Sequence, residues 1–456
     1  MSISTKPPSG FRDFLPADVR RRNHVFRVIE EVYRSYGFEQ LDTPALENLT
    51  TLLGKYGEEG DQLLFKVLLR GDKLARALEA AEPADTDLAD LGLRYDLTVP
   101  LARVYAQYRN EFPRIFKRFQ IAPVWRADRP QKGRYREFYQ CDVDVVGSSS
   151  MTVEVEVTSA LSEILEQLRF VGFRIHVNHR RLLTAILRVS GVPEDLHGAA
   201  LVAIDKLDKI GEDGVRAELD RRQIPESAIG ALADLTSTLD GKDDRQILAL
   251  LAEQVGADDD GRAALEDLRQ VLAFAKPAPS GKYLRLDPFL ARGLSYYTGP
   301  IFEIRSDDFA GSLGGGGRYD ELIGMFMKEP VPACGFSLGV ERILLLMEER
   351  GLFDDLGSEV DVLVTMWNAE FAPNTLRLAR ELRDAGLRVD VYTDEDKYKK
   401  QFAYADQRGI GFVAILAPRE LEEGVVAVKD MKSGEQVVVP RSKVAAFFAQ
   451  RNERPV

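Results

Sequence analysis

The segment from Arg126 to Gln140, RADRPQKGRYREFYQ, constrains the fold more than any other stretch of this chain. The run before it, FQIAPVW, and the run after it, REFYQCDVDVVG, both read as strands, and the second alternates strictly. Asp128-Arg129-Pro130 and Lys132-Gly133 supply the turn between them, so the pair forms an antiparallel hairpin. A period of two puts Tyr139, Cys141, Val143 and Val145 on one face of the exit strand, and Arg136, Gln140, Asp142 and Asp144 on the other. The first face is core-like. The second carries arginines near the tip and an amide and carboxylates further along, an arrangement suited to a polyphosphate above a small polar ligand. A solvated surface hairpin is the plainer alternative, and the hairpin alone does not decide between them.

Charge sharpens the question. Five of those fifteen residues are basic and two acidic, in a chain whose formal net charge is -12. Such an acidic chain does not bind nucleic acid indiscriminately, although a local basic surface can still hold it. At 456 residues there is room for about two or three domains, each with its own core. No apolar run is long enough to span a membrane, and MSISTKPPSGFRDFLP lacks a signal-type apolar stretch. Two cysteines, Cys141 and Cys334, make neither a disulfide framework nor a zinc cluster, which points to a reduced, cytoplasmic setting. The four histidines, His24, His176, His179 and His197, avoid the arginine-rich and glycine-rich motifs. A Ser-His-Asp triad or a His-ligated metal is therefore disfavoured, and His176 and His179 read as partly exposed strand and helix-cap residues. The chemistry is expected to run on arginines, carboxylates and a bound divalent ion.

Along the chain, VRRRNHVFRVIEEVYRSYG has helical spacing and ends at Gly37, and FEQLDTPALE is extended around Pro44. LFKVLL reads as a strand. Asp96 and Thr98 fall where a turn or strand enters a helix, and serve equally well as helix caps or ligand contacts. MTVEVEVTSALSEILEQLRFVG is a long helix, and residues 178–276 are helical, acidic and poor in aromatics, as an inserted module would be. YLRLDPFLARGLSYYTGPIFEIRSD reads as two strands joined by a turn, and GSLGGGGRYDELIGMF as a glycine-rich turn entering a helix, with Tyr319 projecting. Its glycines satisfy neither the P-loop nor the dinucleotide spacing. PACGFSLGVERILLLMEER is a strand entering a helix whose first turns carry Arg342, against the helix dipole. From about Val360 strands alternate with helices of 10 to 15 residues, forming a small α/β domain after the linker RGLFDDLGSE.

These segments together resemble the histidyl-tRNA synthetase family of class II aminoacyl-tRNA synthetases over essentially the whole length. The Pro44 segment resembles motif 1, RPQKGRYREF and its flanking strands motif 2, and GFSLGVERI motif 3. RGLSYYTG and GGGRYD resemble the two signatures peculiar to the histidine enzymes, while DLTVPLARV, NHRRLL, DKLDKIG and KKQFAYADQRGI extend the likeness. Two departures stand out: Ser295 where the family usually has Asp, and Asp128 where motif 2 commonly has Glu.

The resemblance implies an α/β (α+β) architecture: a class II antiparallel sheet with helices over residues 1–345, interrupted by a helical insertion at 178–276. A linker at 346–358 and an α/β anticodon-binding domain at 359–456 complete it, as a symmetric homodimer. It implies that Arg126 and Arg292 serve adenylation, with Arg126 also holding the amino-acid carboxylate. Asp96, Thr98 and Gln140 would orient the α-amino group, and Asp144 and Tyr297 would read the imidazole in a pocket lined by Tyr296 and Tyr319. ATP would meet Arg126, Asp128, Arg134, Arg136 and Arg342, and the tRNA acceptor end Arg129 and Gln131. Mg2+ would come with ATP rather than sit in a protein-only cage. The partners implied are L-histidine, ATP and tRNA-His, with no membrane.

Two other readings share the core: a histidine-binding regulatory paralogue associated with ATP phosphoribosyltransferase, and a sensor of uncharged tRNA. Paralogues of the first kind usually lack the C-terminal domain and lose signature residues. This chain keeps Arg126, Arg292, Tyr297, Arg342 and the domain. Sensors of the second kind are normally fused to further domains, for which 456 residues leave no room.

Overall fold

The structure is a computed structural model that describes residues 3–79, 84, 87–204, 206–291, 296–307, 309–354 and 356–450. The chain divides into two compact units, Met1–Arg350 and Gly351–Val456.

Among the described residues the first unit has eleven strands: β1 (Glu39–Gln40), β2 (Leu46–Asn48), β3 (Lys66–Leu68), β4 (Ala89–Leu93), β5 (Phe116–Trp125), β6 (Glu137–Val146), β7 (Phe173–His179), β8 (Leu284–Leu286), β9 (Pro300–Ser306), β10 (Phe309–Arg318) and β11 (Ala333–Gly339). Eight of them form one sheet in the order β1-β5-β6-β11-β10-β9-β7-β8, antiparallel except at its two ends. The hairpin forms as its alternation requires, with Phe116 opposite Val146 and Trp125 opposite Glu137. The face of β6 bearing Cys141, Val143 and Val145 is buried, and the helices Pro16–Ser35 and Thr152–Gln167 pack on this part of the unit. Tyr139, nearer the tip, is only half-buried and is held between the Phe26 ring and the Arg22 guanidinium.

Two local readings are corrected. GSLGGGG is strand, not turn: Phe309–Arg318 pairs with β9 on one side and β11 on the other, and only a short 3-10 turn, Ile323–Met325, follows. Glycine has poor strand propensity, but here close backbone approach requires it. A Cβ at Gly316 would lie 2.1 Å from the Gly335 carbonyl oxygen. Likewise, the two strands β8 and β9 are not hairpin partners, because β7 lies between them, parallel to β8 and antiparallel to β9.

The region read as an insertion is helical from Arg180 to Ala275, while Asn178 and His179 still belong to β7. Its first and last helices, Arg180–Val189 and Asp259–Ala275, pack on each other, and the second also packs on Thr152–Gln167. His179 is fully buried rather than partly exposed: its Nδ1 accepts from the Arg181 amide at 3.1 Å, and Asp267 takes its Nε2 at 3.2 Å.

The second unit holds β12 (Val362–Val364), β13 (Val389–Val391), β14 (Phe412–Ile415), β15 (Val425–Asp430) and β16 (Gln436–Pro440) in the order β13-β12-β14-β15-β16. Alternate residues feed two cores. Val362, Val364, Ala414, Val426 and Val428 join Leu378, Leu382 and Phe448, whereas Leu363, Val413, Ile415 and Ala427 join Ala405 and Ile410. Both sheet faces are thus covered, as the continuous apolar runs in these strands demand. Two private cores should let residues 351–456 fold alone. The fragment is expected to unfold cooperatively by circular dichroism, and Leu378→Ala to destabilise it by about 2–5 kcal/mol. A gradual, non-cooperative melt would contradict this.

Candidate active site

β5, β6, β11 and β10 lay rows of residues across one sheet face. Arg118, Asp144, Gly335 and Gly317 are successive partners, as are Gln120, Asp142, Ser337 and Gly315. Side chains on β5 and β6 face glycines on β10 and, apart from Ser337, on β11, and that difference in volume opens a cavity of about 390 Å³. A Cβ at Gly335 would lie 1.8 Å from Asp144 Oδ1, so this glycine makes the room the carboxylate occupies.

The cavity gathers Asp96, Thr98, Arg126, Asp128, Arg134, Gln140, Asp144, Tyr296, Tyr297, Tyr319 and Arg342 from separate parts of the chain. Asp96 turns out to be both cap and wall. Its Oδ1 accepts from the Val99 amide and the Tyr56 hydroxyl, each at 3.1 Å, at the start of the helix Thr98–Tyr108, while Oδ2 has no hydrogen-bond partner among the described residues. Gln140 donates to Ser337 Oγ at 2.7 Å, and its Oε1 has no hydrogen-bond partner among the described residues. Asp144 accepts from the Tyr319 hydroxyl on one oxygen and meets Arg118 at 2.7 Å on the other. Tyr296 bonds to Thr98 and packs edge-on against Tyr297 and Tyr319.

Cations line the same cavity. Arg126 donates to the Tyr95 carbonyl at 3.1 Å and lies over the Tyr95 and Phe138 rings. Arg134 pairs with Asp128 at 2.7 Å, and Arg342 donates to the Ser312 carbonyl. Arg129 and Gln131 stand exposed on the hairpin tip and do not line the cavity. Arg136 does not reach it either. It is spent on the N-terminal segment and the loop, donating from Nε to the Asp128 carbonyl at 3.1 Å and from Nη1 to the Ser9 carbonyl at 3.4 Å. Arg292 and Ser295 lie outside the described residues.

Several lining or supporting residues carry no obvious sequence signal. Tyr56, Ser337 and Gly335 become visible only through pairing, and Arg118 sits in an ordinary-looking strand. Glu341 was findable, since it precedes Arg342; Arg12 holds its carboxylate, and the Tyr139 amide approaches it. Among the described residues no cluster of three or more His, Cys, Asp or Glu side chains suits a metal ion.

Burial dominates the electrostatics of the floor. It raises the carboxyl groups of Asp96 and Asp144 above the usual range, against the pull of Arg126 and Arg118 respectively. Asp142 is pushed up to about 7 by burial, with Arg118 opposing and Asp144 adding to the shift. A raised folded-state pKa means the native protein holds a proton that the unfolded chain releases, so stability falls as pH rises through that window. Replacing Asp142 by Asn removes the effect. Between about pH 4 and pH 7 the parent protein is expected to lose stability relative to Asp142→Asn, measured by urea denaturation. A difference that stays flat with pH would show that Asp142 titrates normally.

The histidyl-tRNA synthetase family model matches residues 10–343, and an anticodon-binding domain model matches residues 360–451. A histidine–tRNA ligase of Porphyromonas gingivalis is 44% identical over 441 residues, covering 95% of this chain and 96% of the relative. One from Christiangramia forsetii is 41% identical, covering 95% and 97%. The crystal structure of the histidyl-tRNA synthetase of a Nostoc species superimposes with a TM-score of 0.83 at 30% identity, covering 99% of this chain and all of the other. With likeness of this extent in both units, the chain belongs to the histidyl-tRNA synthetase family.

Proposed function

We propose that the protein is a histidine–tRNA ligase: it joins L-histidine to ATP, forming histidyl-adenylate and pyrophosphate, then transfers histidine to the terminal ribose of tRNA-His. The observation that carries this reading is the make-up of the cavity, in which Arg126, Arg134 and Arg342 line the same space as Asp96, Asp144 and three tyrosines, with Arg126 beside the turn that carries Asp96. The substrates carry the complementary groups, a polyphosphate on one and an ammonium and N–H-bearing ring on the other.

In the first step the histidine carboxylate attacks the α-phosphorus and pyrophosphate leaves. Negative charge shifts among phosphate oxygens, so fixed cations in a water-poor site are the main aid. Arg126 and Arg292 act at the α-phosphate, Asp128 and Arg134 on the nucleotide, and Arg342 at the γ-phosphate end. Asp96, Thr98 and Gln140 orient the α-amino group, using the Oδ2 and Oε1 atoms that lack partners. Asp144 and Tyr297 take the ring nitrogens, with Tyr296 and Tyr319 as walls. A ring without those nitrogens would leave buried polar groups unpaired, which is costly. Mg2+ bound with ATP would neutralise phosphate charge there. Glu341, a carboxylate of the cavity wall beside Arg342, is suited to share the ion.

Arg129 and Gln131, exposed on the hairpin tip, face the tRNA acceptor end. The C-terminal unit adds tRNA affinity, helped by exposed Lys397, Lys399 and Lys400, although Lys400 is already paired with Asp396. The working form is a cytoplasmic homodimer. Leu46, at the end of the Pro44 segment, is 43% exposed, as an apolar residue covered by a second copy would be. Both cysteines are free and buried, and no helix among the described residues is long and apolar enough to cross a membrane.

Histidine-dependent exchange of pyrophosphate into ATP tests the reading and separates it from a regulatory or sensing role. Arg292→Ala is expected to lower the exchange kcat by about 10²-fold or more while histidine binding largely survives. Near-normal exchange would remove Arg292 from the mechanism. A chain ending near Leu352 should still exchange pyrophosphate but charge tRNA poorly, and equal loss of both activities would contradict the division of labour.

A further inference from the structure

We propose that Arg118, which lies beneath the cavity floor and lines no part of it, is a positioning residue for histidine recognition. It acts by fixing the Asp144 carboxylate and the turn that carries Asp96 and Thr98. The inference rests on the assignment of Asp144 to the imidazole.

Arg118 is wholly buried on β5, one strand away from Asp144 and directly opposite it in register. A single nitrogen, Nη2, reaches Asp144 Oδ2 at 2.7 Å and the Leu97 carbonyl at 3.1 Å. Leu97 is the residue between Asp96 and Thr98. One guanidinium therefore ties the group that reads the ring to the groups that hold the amino end.

Stability does not account for it. The Nε and Nη1 atoms have no hydrogen-bond partner among the described residues, and burying unspent donors is costly. A buried ion pair is often no more stable than apolar residues of the same volume. What the pair does supply is a carboxylate held at both oxygens, by the Arg118 charge at Oδ2, which has no hydrogen-bond partner among the described residues, and by the Tyr319 hydroxyl at Oδ1. A carboxylate accepts about four hydrogen bonds, so further lone pairs remain for the ligand. Arg118 also opposes the protonation of Asp144 that burial favours.

The test is pyrophosphate exchange by the full-length protein, with KM measured separately for histidine and ATP. Arg118→Met is expected to raise KM for histidine about 10-fold or more, because the buried ion pair that holds the Asp144 carboxylate is lost, and to leave KM for ATP within about twofold. Asp144→Asn should do the same. In the double variant the second change should add little, because both remove one interaction; it also removes both buried charges, so it guards against misfolding. Arg118→Lys keeps the charge without the planar reach and should recover part of the loss. Equal rises in both KM values, or additive effects in the double variant, would reduce Arg118 to a structural residue. If Asp144→Asn raises KM and Arg118→Met does not, only this inference falls. If Asp144→Asn has no effect, the pocket assignment falls with it.

Discussion

Desolvation of the β6 carboxylates is the constraint on which the first unit depends. Asp142 and Asp144 are each 2% exposed, side by side on one sheet face, and water cannot satisfy them there. Such charges persist in a protein only with partners at hand. The surroundings read as a response: Arg118 from β5 and Tyr319 from just after β10 converge on Asp144, and Ser337 from β11 stands opposite Asp142 in register. Apolar side chains on β10 and β11 would have filled the space and left the charges stranded. Glycine keeps the volume open, and the sheet survives because both glycine-bearing strands are interior, with Gly314–Gly317 paired on both sides. The cavity is therefore a product of the same choice that makes the floor acidic.

The sequence shows some of this well. Strict alternation and clear turn residues located the hairpin, because both signals are local. The alternating strands and helices after Val360 were legible for the same reason, and the second unit's two cores follow from that alternation. GSLGGGG was not legible. Its glycines look like a turn because turns are where unsupported glycine usually occurs, whereas here the support comes from Gly335 and Phe336, distant in sequence. Arg118 was hidden too: in FKRFQIAPVW nothing local separates it from Lys117, yet Lys117 bonds at the surface to Glu156 while Arg118 is enclosed. Family resemblance supplied roles that no spacing gave, notably for Asp96 and Gln140.

The same division appears in the signature GGGRYD, whose last three residues go to different places. Arg318 turns away from the cavity to a buried pair with Glu154 at 2.7 Å, on the helix Thr152–Gln167, and reaches the Ser148 carbonyl at 3.0 Å. Tyr319 turns to Asp144, and Asp320 accepts from the Ala333 amide at 3.0 Å. One short segment thus anchors the glycine strand to a helix, sets the carboxylate and fixes the entry to β11. A side chain can matter for the site while pointing away from it.

Arg136 makes the converse point. As an arginine of the hairpin it belongs to the cationic motif, but its donors go to Ser9 and Asp128 carbonyls, and its amide goes to the Gly10 carbonyl at 2.8 Å. Gly10 has φ of 86°, and a Cβ there would fall 2.7 Å from Arg136 Cγ, so a bare backbone is needed at this crossing. Two residues on, Arg12 stacks 3.3 Å over the Tyr135 ring and pairs with Glu341. The N-terminal segment therefore staples the hairpin to the helix Val340–Glu349, the two elements that carry Arg126, Arg134 and Arg342. Cations placed on a loop act on phosphate only if the loop costs little to organise. Spending Arg12 and Arg136 on structure is what holds the remaining three arginines in place for charge.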